Sequence, residues 1–410
     1  MKPYKHFLAL IGILLSMGHV TAAEIKKPLK IFVLAGQSNM QGHAKVETLQ
    51  GVAMDPRTKP MYDEMCDADG KPRVFKNVYI SYLSETGGWG KTNPAEVSGP
   101  LTTGFGALGN EPKIGPELTF GLYMHKHLNE PILLIKTAWG GKSLNTDFRP
   151  PGAGPYVWND QVKNLTEEKK LQKIQETGVY YRLMIDHVKK VLADPGKVHP
   201  GYDKSAGYEL AGFVWFQGFN DYVDHNTYPN RARPDGYQAY SDVFAHFIRD
   251  VRKELSAPEM PFVIGVLGVD GVTSPEIEAA KPARYRGILP AFHAAMAQPA
   301  TLPEFKDSVI AVQTAPYWDV ELDRIEKLRS AAIGKAKQEA KAKKLEAKES
   351  GALEKKSAEE ALTAKEIDYM AKNRSNQGYH YYGSAKTLGG IGKAFADALA
   401  GWYQKNGSAR

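Results

Sequence analysis

Five consecutive apolar residues, Ile31-Phe32-Val33-Leu34-Ala35, run directly into Gly36-Gln37-Ser38-Asn39-Met40. The run is too short for a helix, and apolarity at every position suits a strand covered on both faces. Gly36 permits a sharp turn. Ser38 then falls just past the strand's carboxyl end, where ligands collect in open α/β sheets. A serine there can present its hydroxyl to a substrate and its backbone N–H to a developing oxyanion. The commoner use of such a serine is to cap the following helix.

The rest of the chain repeats this alternation. Further strands are expected at about 77–82, 131–136, 210–216, 261–267 and 308–313. Helices are expected at 117–128, 179–192, 237–255, 285–297 and 384–403. Continuous apolar strands alternating with amphipathic helices predict a three-layer α/β/α sandwich, flavodoxin-like, around a parallel sheet of five or six strands. Residues 24–410 are enough for one large domain. The stretch 48–73 reads as loop, and the Gly- and Pro-rich 85–116 as largely irregular. Residues 321–372 differ in kind: they are mostly Ala, Lys and Glu, without an aromatic until Tyr369. They read as an inserted, exposed, charged helical hairpin broken at Ser350-Gly351, either a solvated excursion, a lid or a docking element. Within the last helix, Leu388, Ile391, Phe395, Leu399 and Trp402 recur at helical spacing and face the core.

Residues 1–23 read as a secretory signal: Lys2 and Lys5, an apolar run over 7–15, then Thr21-Ala22-Ala23. The expected location is therefore secreted or periplasmic, with an uncleaved anchor as the alternative. No later stretch is apolar enough to span a bilayer, so no membrane is expected after cleavage. Cys66 is the single cysteine, which excludes an internal disulfide; it reads as a bystander in a polar loop. Lys and Arg total 53 against 46 Asp and Glu. That excess is spread thinly, and no basic run is interleaved with aromatics, so nucleic acid is not implied.

Some motifs fail on context. Gly104-Phe105-Gly106-Ala107-Leu108-Gly109 has dinucleotide spacing but follows no apolar strand, and Pro112 soon blocks a helix. Gly90-Lys91-Thr92 lacks the first glycine of a phosphate loop, because Glu85 stands there. No Gly-x-Ser-x-Gly occurs. No His and carboxylate cluster has metal-ligand spacing, so neither metal nor cofactor is expected. What remains is an ordered set of polar residues at strand ends: Ser38, Gly140-Gly141, Gln217 with Asn220, and His380. A nucleophile, backbone donors, an amide donor and a histidine base are the parts acyl transfer needs.

Gly36-Gln37-Ser38-Asn39-Met40 resembles the nucleophile block of the SGNH hydrolases. It most resembles that of the carbohydrate esterases that include sialate O-acetylesterases and acetylxylan esterases. Trp139-Gly140-Gly141-Lys142-Ser143 is similar to their glycine block. Trp215-Phe216-Gln217-Gly218-Phe219-Asn220-Asp221 resembles their Gln-Gly-Glu block, and Tyr379-His380-Tyr381 their histidine block. The resemblance implies Ser38 and His380 as catalytic residues of an acetylated-carbohydrate esterase. It implies an oxyanion hole from the N–H groups of Ser38 and Gly141 or Gly140 with the amide of Asn220 or Gln217. It also implies Gln37, Asn39 and Trp139 as substrate contacts. The aromatics Trp89, Phe105, Tyr156 and Trp158 would suit a stacked glycan, or pin their own loops. The chain departs from the pattern twice. Gln377 stands where the family's aspartate would orient the histidine, and Phe219 replaces the Gln-Gly-Glu carboxylate. His380 is then oriented by a carbonyl, by Gln377 or Asn376, or by a carboxylate such as Asp221 or Asp368. The alternative reading is a catalytically impaired carbohydrate-binding protein of the same fold.

Overall fold

The computed structural model describes residues 27–86, 93–156 and 166–407. The expected signal, Trp89 and Trp158 lie outside the described residues. The core is a seven-stranded sheet. Its strands are β1 (Leu29–Gly36), β2 (Phe75–Thr86), β3 (Asn93–Leu101), β4 (Ile132–Ala138), β5 (Tyr208–Phe216), β6 (Phe262–Val266) and β7 (Val309–Gln313). They lie in the order β3-β2-β4-β1-β5-β6-β7, all parallel except β3, which pairs antiparallel with β2.

Side-chain alternation assigns the two covered faces. Phe32 meets Phe120 of the helix Glu117–Leu128, and Phe216 meets Phe395 of the terminal helix Ala385–Asn406. On the opposite face Phe213 and Trp215 pack on Phe247 of the helix Gln238–Glu254. Phe247 also touches Tyr181 of the helix Val179–Ala193. Ile31 to Ala35 are 0–1% exposed, which is why this strand carries no polar residue in alternation.

Four expectations need correction, the charged insertion being the last. The sheet has seven strands, not five or six, because β3 forms inside the stretch expected to be irregular. As an edge strand it tolerates Pro94 and Pro100, whose missing N–H groups would break a central strand. Residues 48–73 are not loop: they hold helices Leu49–Met54 and Lys59–Met65. Leu49, Val52, Met61 and Met65 are buried, and each helix is too short to show a periodicity. Cys66, just after, is buried rather than lodged in a polar loop, and burial pushes its thiol up.

The charged insertion is three helices, Val320–Ala342, Ala347–Glu360 and Ala364–Asn373. Its first turn comes at 343–346, with Lys344 left-handed, rather than at Gly351. Glu346 and Glu349 form a reciprocal capping box there, which outweighs the glycine's weak helix propensity. The excursion leaves and returns at one root. Asp319 caps its first helix and accepts from Tyr369, and Asp323 accepts from Tyr382, beside His380.

Candidate active site

Register sets the site. Gly36 aligns with Ala138 of β4 on one side and Phe216 of β5 on the other. The three segments that follow these neighbouring strands, 37–41, 139–144 and 217–221, therefore emerge at one level of the sheet. β1 is also where the chain's progress across the sheet reverses, the place where α/β sheets open a crevice. Gly36 is required by closeness: a Cβ there would lie 2.2 Å from the Phe216 carbonyl oxygen. Ser38 opens the single-turn helix Ser38–Gln41 and is 6% exposed. As a first-turn residue, its N–H has no helical carbonyl to meet.

Gln37 is the splint of the site. Its Oε1 accepts from Gln217 Nε2 at 3.1 Å and from the N–H groups of Gly218 at 3.1 Å and Asn220 at 3.2 Å. Its Nε2 donates to Asn220 Oδ1 at 3.0 Å and reaches Ser38 Oγ at 3.4 Å. With Oδ1 engaged, the Asn220 amide turns its donor end elsewhere. Asn220 Nδ2 is the nearest atom, at 3.9 Å, to where a Gly141 Cβ would stand. Gly141 is left-handed (φ 69°), a conformation that favours glycine and sets the direction of its N–H.

Gln217 is spent differently. Its Nε2 donates to Gln37, to the Lys142 carbonyl at 3.0 Å and to Asp221 Oδ2 at 2.6 Å. It is no free oxyanion donor. Asp221 is fully buried and accepts also from the N–H groups of Leu144 and Asn145 and from the Tyr228 hydroxyl. Burial raises its carboxyl to about 6 against the pull of those four donors. It ties β5's turn to the glycine turn and does not orient His380. Asp368 pairs with Lys372 on the insertion, and the described contact of Gln377 with His380 is through its carbonyl, which accepts the His380 N–H. Gln37 and Trp139 are 1% and 3% exposed, so both are scaffold rather than substrate contacts; Trp139 packs on Phe148 and Tyr180. Asn39 is buried, with Oδ1 left without a partner. Phe105 and Tyr156 are also buried, and pin their loops instead of lining a cleft.

His380 is oriented by Asn376. Its Nδ1 lies 3.0 Å from Asn376 Oδ1, an atom that also accepts the Gln377 N–H at 2.8 Å. An atom that accepts a backbone N–H must be the amide oxygen, so His380 Nδ1 carries the proton and Nε2 presents a lone pair. Burial, helped by the Lys113 charge, holds the imidazole down to about 4, so it is neutral at ordinary pH. Tyr381 and Tyr382 follow in left-handed conformation, an uncommon pair for non-glycine residues. Tyr381's hydroxyl accepts from the Gly268 N–H at 2.7 Å and bonds Thr314, holding the turn to the ends of β6 and β7. No hydrogen bond joins His380 to the Ser38 hydroxyl in this structure; such contacts are often loose before substrate arrives.

Three residues escaped the sequence reading. His43 stacks flat on His380, centroids 4.0 Å apart and planes within 1°, with its own imidazole held down to about 2 by burial. Lys136 and Glu117 form a fully buried pair at 2.7 Å. Lys136 Nζ also donates to the carbonyls of Gln41 at 2.8 Å and Phe105 at 2.6 Å, bracing the helix that carries Ser38 from below. Burial pushes the amine down and the carboxyl up, and each partner's charge opposes that. A lysine inside a continuous apolar strand was the available signal.

The described residues contain no group of His, Cys, Asp and Glu that could hold a metal. Among them, no helix is long and apolar enough to cross a membrane. A doubly wound sheet with its polar cluster at the reversal point defines an α/β enzyme of the strand-end type. The family model of carbohydrate esterases described as sialic acid-specific acetylesterase matches residues 28–309. The chain belongs to that family, and is a carboxylic ester hydrolase acting on carbohydrate acetates. The match ends before the insertion and His380.

No curated protein matches the chain. Among solved structures it is similar to a protein from Arabidopsis thaliana at 15% identity, over 70% of this chain and 86% of that one (TM-score 0.35). It is similar to a carbohydrate acetylesterase from Xanthomonas citri at 14% identity, over 69% of this chain and about half (49%) of that one (TM-score 0.37). It is similar to NanS at 14% identity, over 71% of this chain and 79% of that one (TM-score 0.34).

Proposed function

We propose that the protein is a secreted or periplasmic serine esterase that removes O-acetyl groups from carbohydrates through a Ser38–His380 acyl-enzyme mechanism. The observation that carries this reading is the Asn376 contact, which puts a proton on His380 Nδ1 and, in an imidazole kept neutral by burial, leaves Nε2 to act as the base. Ser38 Oγ attacks the acetyl carbonyl as His380 Nε2 takes its proton. The oxyanion is met by the N–H groups of Ser38 and Gly141 and by Asn220 Nδ2, the free donor beside Gly141. Collapse breaks the C–O bond to the sugar, whose oxygen takes the proton from His380. Water, deprotonated by the same nitrogen, then releases acetate and restores Ser38. In the resting state Asn376 fills the role of the orienting aspartate without its charge. The buried lowering of His380 and the absence of a carboxylate both favour a weak base, so turnover is expected to be modest.

The test is acetate release from a small activated acetyl ester and from acetylated polysaccharide, with Ser38→Ala alongside. Turnover lost by roughly four orders of magnitude in Ser38→Ala supports the mechanism. A folded wild-type protein that binds the glycan without releasing acetate would replace it with a carbohydrate-binding role.

A further inference from the structure

Two aromatic rings border the proposed reacting centre, and the mechanism uses neither. Phe219 follows directly on the Gln217-Gly218 turn and precedes Asn220, the amide donor. Tyr379 precedes His380, the base. The fold brings these two segments together, and the rings meet with centroids 5.7 Å apart and planes at 37°. Tyr379 also sets its edge against the His380 ring at 4.5 Å. Tyr222, one turn along from Phe219, extends the surface at 6.1 Å and is itself backed by Phe292 of the core. Tyr379 is 44% exposed, and Phe219 and Tyr222 are only partly buried. The backs of Phe219 and Tyr222 pack on the core, and the part of this apolar surface left open, with Tyr379, lies in solvent beside a polar reacting centre.

The chemistry of ester cleavage says what would cover it. The carbonyl oxygen of the acetyl group must face Gly141 and Asn220. The leaving oxygen must face His380, from which it takes its proton. The sugar attached to that oxygen therefore sits on the His380 side of the acetyl group, where Tyr379 and Phe219 lie. We propose that Phe219 and Tyr379, extended by Tyr222, form a stacking subsite for the pyranose ring that bears the acetyl group. The apolar C–H face of a pyranose lies flat on aromatic rings, leaving its hydroxyls in water. Phe219 replaces the carboxylate of the related block, so at this position the chain offers a sugar an apolar face instead of a hydrogen-bond acceptor.

This inference rests on the esterase reading for its geometry, and its test separates the two. Turnover is measured on vinyl acetate, which has no ring to stack, and on an acetylated methyl glycoside. Phe219→Ala and Tyr379→Ala are expected to raise KM for the glycoside roughly tenfold each while leaving vinyl acetate within about twofold. Phe219→Tyr and Tyr379→Phe keep a ring and are expected to retain the wild-type KM. Equal losses on both substrates would overturn the subsite, because the rings would then only prop Asn220 and His380. Unchanged glycoside kinetics would overturn it as well. Calorimetric binding of the glycoside to Ser38→Ala, with and without Tyr379→Ala, reads the subsite with no turnover at all. Weakening of roughly tenfold supports it even if the mechanism fails, and equal affinities overturn it.

Discussion

The strand-end cluster and the charged insertion are both rich in polar residues, yet they are built on opposite principles. At the strand ends the polar groups are buried and heavily shared. Gln37 holds three separate donors on one oxygen, Asp221 meets four, and Lys136 divides its protons among three acceptors. In the insertion the polar groups are exposed and paired locally. Lys355 pairs with Glu359, and Lys356 with Glu360, one turn apart in the same helix, while beyond the root, where Leu322 and Ile325 are buried, the hidden seam is alanine: Ala336, Ala340 and Ala358. Buried groups that have given up water depend on every partner, whereas exposed pairs keep water as a substitute. Substitutions in the first region should therefore be costly and in the second nearly silent.

The sharpest way to break that contrast is Lys136→Met. It leaves Glu117 charged and unpaired in the core and frees the Gln41 carbonyl. A loss of about 3–5 kcal/mol of stability is expected, read by denaturant unfolding. Lys136→Met combined with Glu117→Gln should recover part of it. If the single variant were as stable as wild type, the buried pair would not be the brace described here.

Asn220→Ala and Gln217→Ala sharpen the comparison within the site. Asn220→Ala should lower kcat roughly a hundred- to a thousand-fold, with a smaller loss of stability because it takes one acceptor from buried Gln37. Gln217→Ala removes a donor from buried Asp221 and should lose about 1–3 kcal/mol of stability along with activity. If the two variants behaved in reverse, Gln217 would be the oxyanion donor.

Acidity separates turnover from stability. His380 titrates near 4, so the acid limb of kcat/KM on a small ester should fall near pH 4 rather than near 6.5. Stability moves earlier. His43, His187, His293 and His380 are all held below their ordinary 6.5, to about 2, 4, 4 and 4. Below pH 6.5 the unfolded chain binds protons the fold refuses. The stability these groups contribute is present above 6.5 and lost as pH falls toward 4. Asp221, raised to about 6, opposes this in part, since its proton is bound more tightly in the fold. The melting temperature should drop between pH 7 and 4 while kcat/KM holds. An acid limb near 6.5 would show that His380 is not desolvated.

The smallest effects belong to the insertion. Arg324→Ala cuts exposed pairs with Glu321 and Glu366 and should leave the melting temperature unchanged. Gly351→Ala, inside a helix with open space around it, should stabilise by roughly 0.5–1 kcal/mol. A loss at either position would mean that these two exposed positions pack on something beyond their own helices.

The contrast also explains what could be read in advance. Ile31 to Ala35 announced a buried strand because both of its faces are covered, and the final helix announced Leu388, Ile391, Phe395 and Leu399 by spacing alone, while Trp402, expected in the same stripe, stays outside the core and donates to the Asp307 carbonyl. The three blocks at 36–40, 139–143 and 215–221 could be placed at strand ends because glycines and apolar runs mark those ends locally, whereas 379–381 follows no strand and could be placed only as lying just before the terminal helix. The insertion's helical character was legible from its composition. Its first turn was misplaced, because a capping box at Glu346 and Glu349 outweighs the glycine five residues on from Glu346.

Which polar residue does what was not local. Asn376, Gln377, Asp221 and Asp368 were equal candidates to orient His380, and only the closed turn over 375–383 places Asn376 against the ring. Gln217 and Asn220 were equal amide donors until Gln37 took one and turned the other. Lys136 and Glu117 sit nineteen residues apart, and His43 and His380 far more, so no spacing rule could pair them. The sequence by itself determined the layered sheet, the ends of its strands and the residue types gathered there. Those follow from burial and turn preference, which act over a few residues. The tertiary structure alone decided which donor meets which acceptor, because a buried hydrogen bond is satisfied by whatever the fold brings within 3 Å, however distant in the chain.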